Sequence, residues 1–394
     1  MKNFVQLLAV AAVSLAPNFA HAYFIASLSG SAKIDVSKPT HILVSGRGQD
    51  LGRSPQMSAL GTAARIRQTE PNAQVLLISV FEDPKNRESL TAKGAVFTKV
   101  NEDVAFNTSS LLPELLKFSK ISSLHFFGHN SPTLGVQTDG PGARFDFREK
   151  RVAQLKGHFA PDAYMIVHGC NGGWYLAPMM SKALGIPVAG AFTGTHFERL
   201  HSDGHFYVSS ANKAPSTEWA QSNTGSYDAD RACLNGGCLR MRPANAPYDG
   251  HWGNLQAGAL AFYKFFCVTN SQDDCDRAMA KSLLHSLTAS NAALDDRGTF
   301  TAAAKDFVCP PSKDRALSDE CGKAMQASLS GGSRTYTSLR AAPTLACSFK
   351  SCEVKFTCTD TSCSMERTTK QPATTQTDEF AAYLRGFDSL AKRP

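Results

Sequence analysis

Between residues 40 and 192 short apolar runs alternate with helical spans, and this alternation restricts the fold more than any other feature of the chain. Residues 41–45 read as a buried strand closed by Gly46, Arg47 and Gly48, and a helical stretch covers 55–68. Residues 74–80 give a second strand, and 95–100 a third that belongs at an edge. A helix over 109–118 carries leucines at 111, 112, 115 and 116. Then come a strand over 122–127, a helix over 148–155, a strand over 163–167, a helix over 174–184 and a last strand over 186–192. Strands this apolar must be covered on both faces, which predicts parallel pairing with helices on each side. The expected class is therefore α/β, a doubly wound, mostly parallel sheet.

In such sheets ligands bind at the carboxyl ends of the strands. Gly128-His129 and Gly169-Cys170 both fall at such ends. The two segments share a form: an apolar strand, then glycine, then a reactive side chain, then small polar residues. Neighbouring strands would bring His129 and Cys170 into one crevice. A cysteine reacts as its thiolate, and an imidazole within reach supplies that state and later protonates a leaving group. Backbone N–H groups around Gly169 and Cys170, with those following His129, would face a developing oxyanion. Arg47, after the first strand, is a candidate pocket cation, although the segment lacks a full glycine fingerprint for phosphate.

The cysteines divide the chain. Ten of the 11 lie at or beyond Cys233 and follow one another as neighbouring pairs, whereas Cys170 stands alone. Such spacing in an exported protein predicts short-loop disulfides and leaves Cys170 as a free thiol, with the connectivity open. Export is itself expected from the start of the sequence. Lys2, an apolar run over 4–16, Pro17 and Ala20-His21-Ala22 have the form of a cleavable signal peptide. The run is too short to span a bilayer, and no later stretch qualifies. The organisation read here is a signal peptide over 1–22, an α/β domain over 23–210 and a disulfide-stapled, mainly helical region over 211–394. Within the last, helical patches are expected over 255–266, 278–294 and 378–390, a small hairpin over 348–359, and an irregular connection over 211–237. The expected location is secreted or periplasmic.

The net charge of +7 is spread along the chain in short pairs such as Lys150-Arg151, which argues against a nucleic-acid tract. His196, His201 and His205, with Glu198 and Asp203, form a second polar cluster, expected in a loop after the last sheet strand. Its spacing does not place the histidines on one helical face, so no metal is assigned and no cofactor is called for.

A histidine on one strand end and a cysteine on the next, in a doubly wound sheet, resembles the caspase-like (clan CD) cysteine peptidases. The run Gly169-Cys170-Asn171-Gly172-Gly173 is most similar to the caspase-like domains of exported bacterial proteins. The resemblance covers residues 40–207. It implies His129 as general base, Cys170 as nucleophile and a protein or peptide substrate. Asn130 stands where the family usually has glycine, and His168 where an acidic residue is often found. The expected activity is an endopeptidase acting through a thioester. The alternative from another class is a catalytically silent module of the same fold that binds a protein or cell-surface partner.

Overall fold

The computed structural model describes residues 22–49, 53–131, 134–140, 142–170, 172–173, 175–191 and 195–200. Beyond these it describes 205–208, 220–226, 239–243, 263–266, 274, 277–278, 281–282, 285, 344–346, 352–358 and 363–369. The signal-peptide reading and the helical patch expected over 378–390 lie outside the described residues.

Strand β1 is Tyr23–Ser27, β2 Thr40–Ser45, β3 Gln74–Val80 and β4 Val96–Asn101, with helix α1 at Ser54–Thr69 and α2 at Asn86–Ala92. Helix α3 (Thr108–Leu115) leads into β5 (Ile121–Phe127), followed by a small antiparallel sheet of β6 (Asn130–Ser131), β7 (Gly135–Gln137) and β8 (Arg144–Asp146). A 3-10 segment, Lys150–His158, precedes β9 (Phe159–Val167), α4 (Leu176–Leu184) and β10 (Val188–Ala191). Thereafter come β11 (Thr195–Leu200), β12 (His205–Val208), β13 (Ala220–Ser226), β14 (Leu239–Pro243) and β15 (Tyr263–Phe266).

The main sheet has eight strands in the order β15-β10-β9-β5-β2-β3-β1-β4. Its centre, β10-β9-β5-β2-β3, is parallel throughout. β1 runs antiparallel between β3 and β4, and β15 closes the other edge antiparallel to β10. The α/β class is as expected, and the edge position of β4 follows the sequence. However, β4 pairs with β1 rather than with a parallel neighbour.

The sheet separates two cores because successive side chains on a buried strand point to opposite faces. On one face Ile42, Val44, Leu124, Phe126, Met165 and Val167 pack with Leu111, Leu112 and Leu115 of α3 and Leu176 and Met180 of α4. On the other, Leu43, Leu77 and Phe127 meet Ala59, Leu60, Ala63 and Ile66 of α1. Those α1 positions recur every three or four residues, the stripe a helix needs to cover a sheet. α3 is started by Asn107, whose side chain accepts from the backbone of Ser109 and Ser110 while Ser110 answers the cap's own N–H. α4 ends at Gly185, whose φ of 71° is left-handed.

Several local expectations change. The helix expected over 148–155 is the 3-10 segment, with Val152 and Leu155 buried against the sheet. Instead of a helix over 255–266, residues Tyr263–Phe266 form β15, because pairing with β10 outweighs local propensity. The stretch expected to be irregular over 211–237 contains β13, and of the polar cluster His196 and Glu198 lie on β11 and His205 on β12 rather than in a loop, while His201 and Asp203 fall outside the described residues. Of the hairpin expected over 348–359 only one strand, Cys352–Cys358 (β17), falls within those bounds; its partners are Cys363–Thr369 (β18) and Thr344–Ala346 (β16), on either side of them. Residues 274–285, within reach of the helix expected over 278–294, are helical where described. Among the described residues, no helix is long and apolar enough to cross a membrane.

Candidate active site

The strand order changes direction at β2: the chain moves from β2 out to β3, then returns to lay β5 on β2's other side. The gap between the carboxyl ends of β2 and β5 is the place where ligands sit in doubly wound sheets. Here the turn after β7 fills it. The Arg47 N–H donates to Thr138 O at 3.0 Å, and the Gln137 N–H donates to His129 O at 2.8 Å. The nearest pair of strand ends beyond this plug is β5 and β9, where the two sequence motifs stand.

Parallel register sets Phe126 against Val167, so the chain leaves both strands at the same level. The His168 N–H still donates to Phe126 O at 2.8 Å, and the two loops then touch. The contact is so close that a Cβ at Gly169 would lie 2.2 Å from Asn130 Cβ and 2.8 Å from Gly128 O. Asn130 completes the junction by donating from Nδ2 to Cys170 O at 2.8 Å. The structure thus brings Gly169, Cys170 and Asn130 together, with His129 adjacent to Asn130 in the chain, and both His129 and Cys170 are partly exposed. The Asn130 side-chain amide is committed to holding the Cys170 peptide, and its buried Oδ1 has no hydrogen-bond partner among the described residues. The oxyanion donor expected from the sequence here is the backbone N–H that follows His129.

Thr195, the first residue of β11, borders the thiol. Its N–H donates to Cys170 Sγ at 3.4 Å, and its hydroxyl lies 3.6 Å from the sulfur. Sequence reasoning missed Thr195, because only the return of the chain after β10 brings it to the sulfur. Cys170 is a free cysteine. Gly172 and Gly173 are pinned over β10, where the Gly173 N–H donates to Ala191 O at 2.9 Å.

Arg47 stands apart from this pair. Its Nε donates to Asp139 Oδ1 at 2.6 Å and its Nη1 to Phe81 O at 3.1 Å, so the cation is fixed to a buried carboxylate. Nearby, Glu82 accepts the Gly48 N–H at 2.8 Å. Burial pushes its carboxyl up to about 7 against that bond and the charge of Arg47.

The α1 face of the sheet holds a second assembly that the sequence reading did not find. His125 Nδ1 and His168 Nε2 are 3.0 Å apart, and the His168 ring stacks on Phe127 with centroids 4.2 Å apart. His125 Nε2 lies 3.1 Å from Ser123 Oγ and 3.2 Å from Tyr164 Oη. Ser123 Oγ reaches His41 Nδ1 at 2.7 Å, and Tyr164 Oη reaches His285 Nδ1 at 2.5 Å. Both branches end on one carboxylate. His41 Nε2 is 3.2 Å from Glu70 Oε2, and His285 Nε2 is 3.3 Å from Glu70 Oε1. Lys281 stands 3.5 Å from Glu70 and 3.7 Å from Asp162.

All four rings are buried. Burial holds each of them below the ordinary histidine range, His168 at about 3 and His285 at about 4, so the rings are neutral at pH 7. Burial opposes charge on Glu70 as well. The close His285 ring, the bond from His41 and the nearby Lys281 outweigh it and hold the carboxyl far below its usual range.

The polar pattern was present in the sequence. Ser123 and His125 alternate on β5, Tyr164 on β9 and His168 just past its end fall on the same face, and buried polar residues there require partners. The partners Glu70 and His285 are distant in the chain, so no local motif joins them.

Among the described residues, no group of three or more His, Cys, Asp or Glu is arranged to hold a metal ion. The side chains of His196, His201 and His205 lie outside the described residues. Comparison of the chain with protein-family models, with characterised proteins and with solved structures returns no match.

Proposed function

We propose that the chain is an exported cysteine hydrolase, an endopeptidase of caspase-like type, with Cys170 as nucleophile and His129 as its base. The observation that carries this reading is the contact between the loops that follow β5 and β9, sealed by the bond from Asn130 to the Cys170 carbonyl. A free thiol and an imidazole are thereby carried on touching loops at the carboxyl ends of two neighbouring parallel strands inside the sheet.

In the proposed reaction the Cys170 thiolate adds to the scissile carbonyl, forming a C–S bond. The imidazole of His129, having taken the thiol proton, returns it to the departing amine. Water then hydrolyses the thioester with His129 acting as base again. The Thr195 N–H, which already points at the sulfur, favours its anionic form in the way any donor to a charged acceptor does. The Asn130 side chain positions the Cys170 peptide in this scheme. Backbone N–H groups beside Gly169 and after His129 are the candidates for binding the oxyanion.

The same Thr195 contacts favour a second reading, a silent module in which the sulfur is held by its neighbours and has no reaction to perform. A peptide-library cleavage assay on the wild type and Cys170→Ala, with mass mapping of iodoacetamide adducts, separates the two. Cleavage lost in the variant, with Cys170 labelled in the folded wild type, supports the hydrolase. Absence of both cleavage and labelling favours the module.

A further inference from the structure

The buried assembly on the α1 face obeys a strict donor and acceptor accounting. A neutral imidazole has one N–H and one bare nitrogen, a hydroxyl has one proton, and a carboxylate only accepts. Glu70 therefore takes the N–H bond of His41 Nε2, while His285 Nε2 faces its other oxygen at 3.3 Å without hydrogen-bond geometry. This leaves His41 Nδ1 bare, and it accepts from the Ser123 hydroxyl. With its proton committed, the Ser123 oxygen can only accept from His125 Nε2, which lies within 3.2 Å of both Ser123 Oγ and Tyr164 Oη. Tyr164 then gives its own proton to His285 Nδ1, which leaves the His285 proton on Nε2. His125 Nδ1 is thus bare and accepts from His168 Nε2–H. Every donor points away from the cysteine loop and toward Glu70, and the last ring in the series is the residue that precedes Gly169-Cys170.

We propose that Glu70 is a remote positioning residue for the Cys170 loop: acting through His285, Tyr164, His41, Ser123 and His125, it fixes the tautomer and orientation of His168. The helical residues Lys281 and His285 are then part of the same unit, since one branch of the assembly is incomplete without His285. The consequence for Cys170 reactivity rests on the hydrolase reading above, whereas the tautomer order does not.

The two branches converge on His125 Nε2, and this makes the proposal testable. Glu70→Gln replaces one acceptor oxygen by an NH2 group, so one of the two facing Nε2 atoms must turn from donor to acceptor. Reversal along either branch delivers a hydroxyl proton to His125 Nε2, moves the His125 proton to Nδ1 and so moves the His168 proton to Nδ1. Proton placement can be read directly by 15N NMR of the imidazole rings.

The wild-type spectrum at neutral pH is expected to show His41, His125, His168 and His285 all protonated on Nε2 and bare on Nδ1. One ring with the opposite tautomer, or an imidazolium, overturns the order, and this measurement needs no variant to fold. In Glu70→Gln the His168 proton is expected on Nδ1, with the amide resonances of Gly169 and Cys170 shifted. The alkylation rate at Cys170 is expected to fall about tenfold, the scale on which outer partners of a reactive group act. A folded Glu70→Gln with His168 unchanged and those amides unmoved contradicts the positioning role. Should wild-type Cys170 not react at all, the hydrolase reading fails while the tautomers and amide shifts still decide this one.

Discussion

At the residue scale two glycines and one carboxyl decide how closely the candidate site is built. Gly169 must lack a side chain because Asn130 Cβ and Gly128 O occupy the space. Gly190 must lack one because the backbone of Gly172 and Gly173 crosses within 2.4–2.7 Å of where a Cβ would be. Backbone cannot swing aside as a flexible side chain can, so Gly190→Ala is expected to displace the 169–173 segment. The expected result is a loss of about 1–3 kcal/mol, the range of overpacked sites, together with slower alkylation of Cys170. Denaturant unfolding and a labelling rate measure the two effects, and an unchanged labelling rate would detach the loop from β10. By contrast, Cys170→Ala removes only a partly exposed sulfur and is expected to change stability by no more than about 1–2 kcal/mol while abolishing cleavage.

Glu82 gives a pH prediction of definite sign. Its folded pKa, about 7, is above the ordinary carboxylate value, so the folded state binds the proton more tightly than the unfolded chain. Its contribution is present below the unfolded value and is lost as pH rises toward 7. Glu82→Gln keeps an acceptor oxygen for the Gly48 N–H and cannot ionise. It should therefore raise the melting temperature at pH 8 and leave it nearly unchanged at pH 5. Equal effects at both values would place the carboxyl in water.

At the scale of elements, most of the α/β series was legible because each strand is a short apolar run and each helix an apolar stripe. α1, expected over 55–68, is Ser54–Thr69, and β3 coincides with the residues expected. The candidate pair was legible for the same reason: residues just past the carboxyl ends of neighbouring parallel strands are placed by topology alone. What could not be read depends on distant partners. β1 is a five-residue strand whose place between β3 and β4 is set by antiparallel pairing with both. β15 is recognised only by its pairing with β10, and the carboxylate joining His41 to His285 is invisible without the tertiary fold.

The hairpin of β17 and β18 adds a prediction at this scale. Its register places Cys358 directly opposite Cys363. Directly opposed positions on antiparallel strands are about 4.5–5.5 Å apart at Cα, within the span a disulfide accepts. Non-reducing peptide mapping is expected to find Cys358 bonded to Cys363. Either cysteine bonded to another partner would contradict that register.

For the whole molecule, the buried histidines predict how it fails in acid. A histidine whose folded pKa is depressed binds fewer protons in the folded state than in the unfolded chain. Its stabilising contribution is complete above the unfolded value of about 6.5 and is lost as pH falls toward the folded value. His168 and His285, at about 3 and about 4, each act in that direction over several pH units. Glu70, held below the carboxylate range, adds a loss below about 4.5. Stability is therefore expected to decline from about pH 6.5 downward, at up to about 1.4 kcal/mol per pH unit for each histidine. Glu82 offsets part of this loss. A melting temperature that stayed level between about pH 6.5 and pH 5 would show that the rings are charged in the folded protein.

The central claim is that His129 and Cys170 act as one unit, and the rate of iodoacetamide modification at Cys170 against pH tests it most directly. The folded protein should be labelled between about pH 5 and pH 9, with adducts assigned by peptide mapping. If the imidazole stabilises the thiolate, the wild type reacts rapidly at neutral pH, and His129→Ala moves the midpoint up toward the free-thiol value of about 8.5. A wild-type midpoint already near 8.5 and unchanged by His129→Ala would show that the two residues are not partners.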